Sequence, residues 1–230
     1  QETGELWSPT ALPIRETGQP YTARHGQGYS RFEHVSHGIS LALLQYVPPD
    51  DPIKISRLTL TNQSGRRRRL SITAYVEWVL GASRAATAPF VVTEIDPETH
   101  AMLARNHWST DFSGRVAFAD LGGRQQSWTG DRREFLGRHG TLEYPAALAT
   151  GTPLTSRVGG GLDPCGALQT MVDLEPDGST EIVFFLGEAD TKAAALSLIT
   201  RYRTIDLDAV LSAATDVWQD VLHTVQVHTP

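Results

Sequence analysis

Between Leu70 and Leu80 the side chains Leu70, Ile72, Ala74, Val76, Trp78 and Leu80 alternate with Ser71, Thr73, Tyr75, Glu77 and Val79. A period of two sends successive side chains to opposite faces of an extended backbone, so this stretch reads as a long strand with one buried face. Such a strand cannot stand alone: its apolar face needs a sheet and a second layer above it. Trp78 sits on that face and is expected in the core. Ile53, Ile55, Leu58 and Leu60 predict a preceding strand, and the break in alternation at Ser56-Arg57 suggests a bulge. Asn62-Gln63-Ser64-Gly65 is turn-like and is expected to join the two strands as an antiparallel hairpin. Further strands are expected over Tyr29–His37 and Ile39–Tyr46, parted by Gly38, and over Phe90–Ile95 and Ala101–Asn106, joined by Asp96-Pro97-Glu98-Thr99. Val116–Phe118, Ala167–Leu174 and Glu181–Leu186 complete the series, the last two joined by Glu175-Pro176-Asp177-Gly178. The fold class is therefore all-β and mainly antiparallel, a sandwich of two large sheets.

The end of the chain changes period. Asp190 can cap a helix carrying Ala194, Leu196, Leu198, Ile199 and Tyr202, and a second helix starts near Asp206 with Val210, Leu211, Ala214, Val217, Trp218, Val221 and Leu222. These helices either cover one sheet or lead to a helical domain beyond Pro230. We divide the chain into a sandwich over residues 1–188 and a helical linker over 189–230. The stretch Ala149–Asp163, with Gly159-Gly160-Gly161, is the most loop-like part.

A chain of 230 residues can bury a sizeable core without staples, and the single Cys165 cannot form an internal disulfide. No apolar run approaches the ~20 residues of a membrane span, and the start QETGELWSPT lacks the features of a signal peptide. A cytoplasmic location is expected. The net charge of −6 argues against nucleic-acid binding. Arg66-Arg67-Arg68-Arg69 follows a turn and opens a strand, so it reads as a solvated face, with a phosphate contact as the alternative. No P-loop, dinucleotide fingerprint, nucleophile elbow or zinc spacing is present, and no catalytic residue or metal ligand is assigned.

Two segments hold side chains suited to sugars. The first is Arg24–His37, with Arg24, His25, Tyr29, Arg31, Glu33, His34 and His37. On a strand, Tyr29, Arg31, Glu33, Val35 and His37 share one face, and such a row can hydrogen-bond hydroxyl groups. It can equally form ion pairs on a solvent-facing sheet, which contribute little. The second runs from Trp128 through Asp131, Arg132, Arg133 and Glu134 to Gly137. Aromatic faces stack on sugar rings while carboxylates and arginines take hydroxyls. Asp131 and Glu134 invite a glycosidase reading, which requires a carboxyl separation of roughly 5 Å for retention or 6.5–9.5 Å for inversion; a local ion-pair cluster is the plainer account. Trp108, after Asn106-His107, lies at a strand end with its exposure undecided.

The strings GELWSPTALPIRE (Gly4–Glu16), RHGQGYSRFEHVSHGI (Arg24–Ile39), DDPIKISRLTLTN (Asp50–Asn62), AYVEWVLG (Ala74–Gly81) and WTGDRREFLGRHG (Trp128–Gly140) closely resemble the amino-terminal sandwich of glycoside hydrolase family 94. That family includes cellobiose and chitobiose phosphorylases, and the wording here is most similar to cyclic β-1,2-glucan synthases. The resemblance implies a galactose-mutarotase-like β-supersandwich with linker helices, followed in the parent protein by an α/α-barrel that carries the catalytic aspartate. It further implies that Val225–Pro230 leads towards that barrel and that an earlier strand or two precedes the chain. The implied partners are a β-glucan or gluco-oligosaccharide, the barrel domain, and a second copy of the chain. Inorganic phosphate is implied as a co-substrate of the full enzyme, with no other cofactor, and the parent protein can be anchored in the bacterial inner membrane. Arg24–His37 and Asp131–Gly137 are the parts expected near the reaction centre. Two other classes stay open: an independent lectin-like module, and an aldose-epimerase-like enzyme in which His25, His34, His37 and Glu33 act as acid and base.

Overall fold

A computed structural model of the chain describes residues 4–149 and 151–224. In chain order the elements are β1 (Tyr21–Gly26), β2 (Tyr29–Ser36), β3 (Ile39–Tyr46), β4 (Ile53–Asn62), β5 (Arg68–Glu77), α1 (Arg84–Thr87), β6 (Val91–Ile95), β7 (Met102–Asn106), β8 (Val116–Asp120), β9 (Ser127–Asp131), α2 (Arg132–Leu136), α3 (Ala146–Ala149), β10 (Pro164–Leu174), β11 (Ser179–Ala189), α4 (Lys192–Thr204) and α5 (Leu207–His223). Eight strands form one sheet in the order β1-β2-β3-β4-β11-β8-β7-β6, and β5-β10-β9 form a second. Neighbouring strands within each sheet run antiparallel. The all-β sandwich holds, but only one sheet is large; the other has three strands among the described residues.

The large sheet is covered on both faces. Leu41, Leu60, Met102, Ala104 and Ile182 face the small sheet, where Leu70, Leu168, Val172 and Trp78 meet them in one core. Tyr46, Ile55, Leu103, Phe118 and Phe185, from the same strands or their neighbours, face the other way into a second core with Ala195, Ile199 and Tyr202 of α4. This arrangement explains the break at Ser56-Arg57. The register of β4 runs unbroken against β3 from Asn62 to Ile55, and against β11 from Thr61 to Ile53, so there is no bulge there. Ile53 and Ile55 point at the helices whereas Leu58 and Leu60 point at the small sheet. The apolar side changes because the covering layer changes along the strand. The register shift lies instead in β10, between Pro164 and Ala167.

The hairpin expected at Asn62–Gly65 is also corrected. Both edges of β4 are taken by β3 and β11, so the chain crosses to the small sheet and β5 pairs with β10. The return crossing, from β10 to β11, passes beside the same corner. Asn62 is fully buried there: its amide Nδ2 donates to the carbonyls of Arg66 (2.7 Å), Leu174 (3.1 Å) and Glu175 (2.9 Å). Its Oδ1 accepts from the backbone N–H of Ser64 (3.0 Å). One carboxamide thus ties both crossings together. β5 ends at Glu77, short of the expected Leu80, which has a φ of 42°.

The β2–β3 hairpin turns on His37 and Gly38, with φ of 49° and 75°. Two successive positive φ values match the right-handed twist of the flanking strands, and glycine takes the second position without strain. Thr191, not Asp190, caps α4, its side chain accepting from the Ala194 N–H; α5 starts next to Asp206 as expected, and Asp206 is its cap. Both helices lie on the large sheet. Arg203 donates to both carboxylate oxygens of the fully buried Asp120 (2.6 and 2.9 Å) and to the Thr99 carbonyl, and Tyr202 donates its hydroxyl to Asp51 (2.7 Å). Tyr46 donates to the Leu207 carbonyl (2.7 Å) at the start of α5. The last turns of α5 leave Val217, Trp218, Val221 and Leu222 substantially exposed. No helix among the described residues is long and apolar enough to cross a membrane. Val225–Pro230, expected to lead to a further domain, lie outside the described residues.

Candidate functional site

The side chains singled out from the sequence fall into three places. Arg24, Arg31 and Glu33 stand together on the outer strands β1 and β2, where Glu33 accepts from Arg24 Nη1 (2.6 Å) and Arg31 Nε (3.0 Å). All three are exposed or half-exposed. Their face is the helix-covered one, and Tyr29 on the same face packs into the helical core. His25 looks to the other face, within 2.9 Å of the Ser30 hydroxyl. A fork of two guanidiniums on one carboxylate is an exposed ion-pair ladder that can offer donors to a hydroxylated ligand.

His37 does not share that face. It lies in the hairpin turn, where Nε2 meets Glu16 Oε1 (2.7 Å) and Nδ1 meets Glu5 Oε2 (3.1 Å). His34 is buried beneath Tyr21, their rings stacked at 3.7 Å, with Nε2 on Glu16 Oε2 (3.1 Å) and Nδ1 on the Pro20 carbonyl (3.1 Å). Partial burial pushes the Glu16 carboxyl up, but the polar side chains of Ser36, His34 and His37 around it outweigh this and hold the group below the usual carboxylate range. These contacts clasp the segment before β1 onto the hairpin. His25, His34, His37 and Glu33 therefore do not converge on a common point.

The second segment is built into the small sheet. Asp131 caps α2, accepting from the Arg133 N–H (3.0 Å), and also pairs with Arg157 (2.9 Å). Glu134 accepts from Thr129 Oγ1 (2.6 Å), the Thr155 N–H (2.8 Å) and the Thr155 hydroxyl (2.8 Å). Arg132 donates to Glu77 (2.8 Å), which also accepts from Tyr75 (2.8 Å) and Arg84 (2.6 Å). Burial alone would raise the Glu77 carboxyl, yet these donors hold it below its ordinary range. Trp128 packs against the inter-sheet core, its indole N–H buried. Arg133 is exposed beside this network. The pattern that suggested paired catalytic acids is one in which each acid holds a strand, a cap or a loop. Cys165 is fully buried next to it; burial pushes the thiol well up, and Asp131, Asp163 and Glu77 add to the effect.

Two features were not found from the sequence. A cavity of about 580 Å³ opens between the sheets beside the β5 edge, lined by Leu41, Leu58, Leu60, Leu70 and Ile72, with Trp7 from the clasped segment across it. Its wall mixes strands far apart in the chain, which no local pattern signals. The other is a parallel pair of exposed rings, Phe90 and Trp108, at the β6–β7 edge of the large sheet. Among the described residues no group of three or more His, Cys, Asp or Glu could hold a metal ion.

Comparison with known proteins fits this architecture. A family model described as "Glycosyl hydrolase 94, supersandwich domain" matches residues 1–205. The chain is 36% identical over 228 residues to the cyclic beta-(1,2)-glucan synthase NdvB of Rhizobium meliloti (strain 1021), covering 99% of this chain and 8% of that protein. It is 29% identical over 206 residues to the solabiose phosphorylase of Paenibacillus borealis, covering 86% of this chain and 26% of that protein. Among solved structures, a bacterial glucoamylase complexed with acarbose superposes with a TM-score of 0.57 over 91% of this chain and 29% of that one, at 8% identity, a likeness of fold alone. The chain thus spans about a quarter or less of the length of these proteins.

Proposed function

The chain belongs to the glycosyl hydrolase 94 supersandwich family, and from that premise we propose that it is the non-catalytic sandwich domain of a larger β-glucan phosphorylase or transglycosylase. The observation that carries this reading is the engagement of its acids. Glu77, Asp131 and Glu134, the carboxylates nearest the suspected sugar-handling segment, each serve two or more hydrogen bonds or ion pairs within the fold. A general acid must give up its proton to a substrate, and these groups are held as acceptors by their own neighbours. In this reading residues 1–188 are the platform and 189–230 the linker. The exposed Arg24–Arg31–Glu33 ladder and Arg133 contribute donors and acceptors for a β-glucan whose bond is broken on another domain of the parent chain, the α/α-barrel. Inorganic phosphate is the co-substrate of that domain, a second copy of the chain is a further partner, and the cytoplasm is the site of action.

The test compares the 230-residue chain with its full-length parent. Each is incubated with linear β-1,2-glucan and inorganic phosphate, and released glucose 1-phosphate and shortened glucan are measured. The parent is expected to process the glucan and the isolated chain to match the buffer blank. Turnover by the isolated chain overturns the reading.

A further inference from the structure

We infer that Phe90 and Trp108 form a glucan-binding platform at the β6–β7 edge, separate from the segments discussed above. The two rings lie parallel, with centroids 5.2 Å apart and planes within 9°. Phe90 covers one face of the indole while Trp108 remains 74% exposed, so the other face is open to solvent. An indole left this open exposes much apolar area to water, and the flat C–H face of a pyranose is a ligand that fits it. The backbone that carries both rings is tied down by hydrogen bonds. Asn106, itself buried, accepts from the Trp108 backbone N–H through Oδ1 (3.1 Å) and donates through Nδ2 to the Leu80 carbonyl (2.9 Å). Phe90 donates its N–H to the Thr87 carbonyl (2.9 Å) at the end of α1. A backbone already fixed, with the two rings stacked on each other, reduces the freedom lost when a ligand binds.

The surroundings favour sugar over a protein partner. The loop from His107 to Arg115 presents His107, Thr110, Asp111 and Ser113 in exposed positions, short groups that hydrogen-bond to hydroxyls. Its other aromatic ring, Phe112, lies 5.6 Å from the Arg115 guanidinium rather than against Trp108. One stacked pair of rings set beside polar side chains suits a ligand that alternates apolar faces with hydroxyl rims, whereas a protein interface core wants a larger contiguous apolar patch. The Arg24–Arg31–Glu33 ladder stands at the opposite end of the eight-strand order, roughly 30 Å away at ~4.8 Å per strand, so the two cannot belong to one subsite. The choice of a β-linked glucan as ligand rests on the function proposed above.

The experiment is calorimetric titration of the chain with a linear β-1,2-linked glucohexaose and, separately, with cellohexaose. Binding of at least one is expected, with affinity lowered by about tenfold or more in Trp108→Ala and by a smaller factor in Phe90→Ala, while both variants keep the wild-type thermal midpoint. Three results overturn the platform: no heat with either oligosaccharide, equal affinity in Trp108→Ala, or sedimentation showing that Trp108→Ala abolishes self-association of the chain. Binding that survives Trp108→Ala removes the platform and leaves the wider reading of a glucan-handling domain standing; processing of glucan by the isolated chain removes that wider reading alone.

Discussion

Asn62 has an amide that serves three carbonyls at the corner where both crossings between the sheets pass. Replacing it with leucine keeps the approximate volume and strands those carbonyls in a dry site, where each buried orphan costs about 1–3 kcal/mol. The expected loss is about 3 kcal/mol or more, read as a lower midpoint in urea; a change below 0.5 kcal/mol would show that the corner is held by other contacts. Glu16 gives a prediction with a sign. Its folded carboxyl lies below the unfolded value, so it contributes stability above about pH 4.3, and that contribution disappears as pH falls through the lower folded value. Glu16→Gln should therefore be less stable than wild type at pH 7 and converge with it below that window; a constant difference between pH 7 and pH 3 would refute the clasp. Cys165 should resist a thiol-specific reagent in the native chain and react once urea unfolds it, since only the thiolate attacks. At this scale the sequence named the chemical groups but not their partners. Arg132 and Asp131 look like ligand-binding residues until Glu77 and Arg157 are seen to occupy them.

Among the elements, strands with clean alternation were legible and those without it were not. β5 stands out because its aliphatic side chains all line the face toward the inter-sheet core, while the other face is polar apart from Tyr75, which stacks on Phe135. β1, with the sequence YTARHG and nearly all of its length exposed, has no apolar period, since it is an outer strand that buries little. β9 hid for the opposite reason: its buried Thr129 and Asp131 are polar and satisfied by hydrogen bonds instead of apolar contact. In β4 a change in the covering layer breaks the alternation just as a bulge would. The helix α4 was readable from its period, but what pins it was not. Arg203 reaches Asp120, a partner 83 positions away and fully buried. Asp120→Ala leaves the guanidinium opposite an apolar gap and is expected to cost about 3–5 kcal/mol, measured by chemical denaturation. At Gly28, with φ of 81°, a Cβ would sit 2.6 Å from the Trp218 ring. Gly28→Val should thus displace α5 from the β1–β2 turn, visible as a shift in tryptophan emission; an unchanged spectrum would mean that the turn yields instead.

For the molecule as a whole, the sandwich class could be read from alternation, and the family from long strings such as RHGQGYSRFEHVSHGI. The inequality of the two sheets could not, because the partner of a strand is decided by contacts distant in the chain. The large sheet sends alternate side chains of β3, β4, β7, β8 and β11 into two different cores. Neither core can melt while the strands they share stay intact, so heating the chain should give a single calorimetric peak whose van't Hoff and measured enthalpies agree. The same sharing makes the sheet a mechanical link. A force that peels the helices away loosens Phe118 and Phe185 on one side, and through the same backbone it slackens the grip of Ala119 and Ile182 on the other.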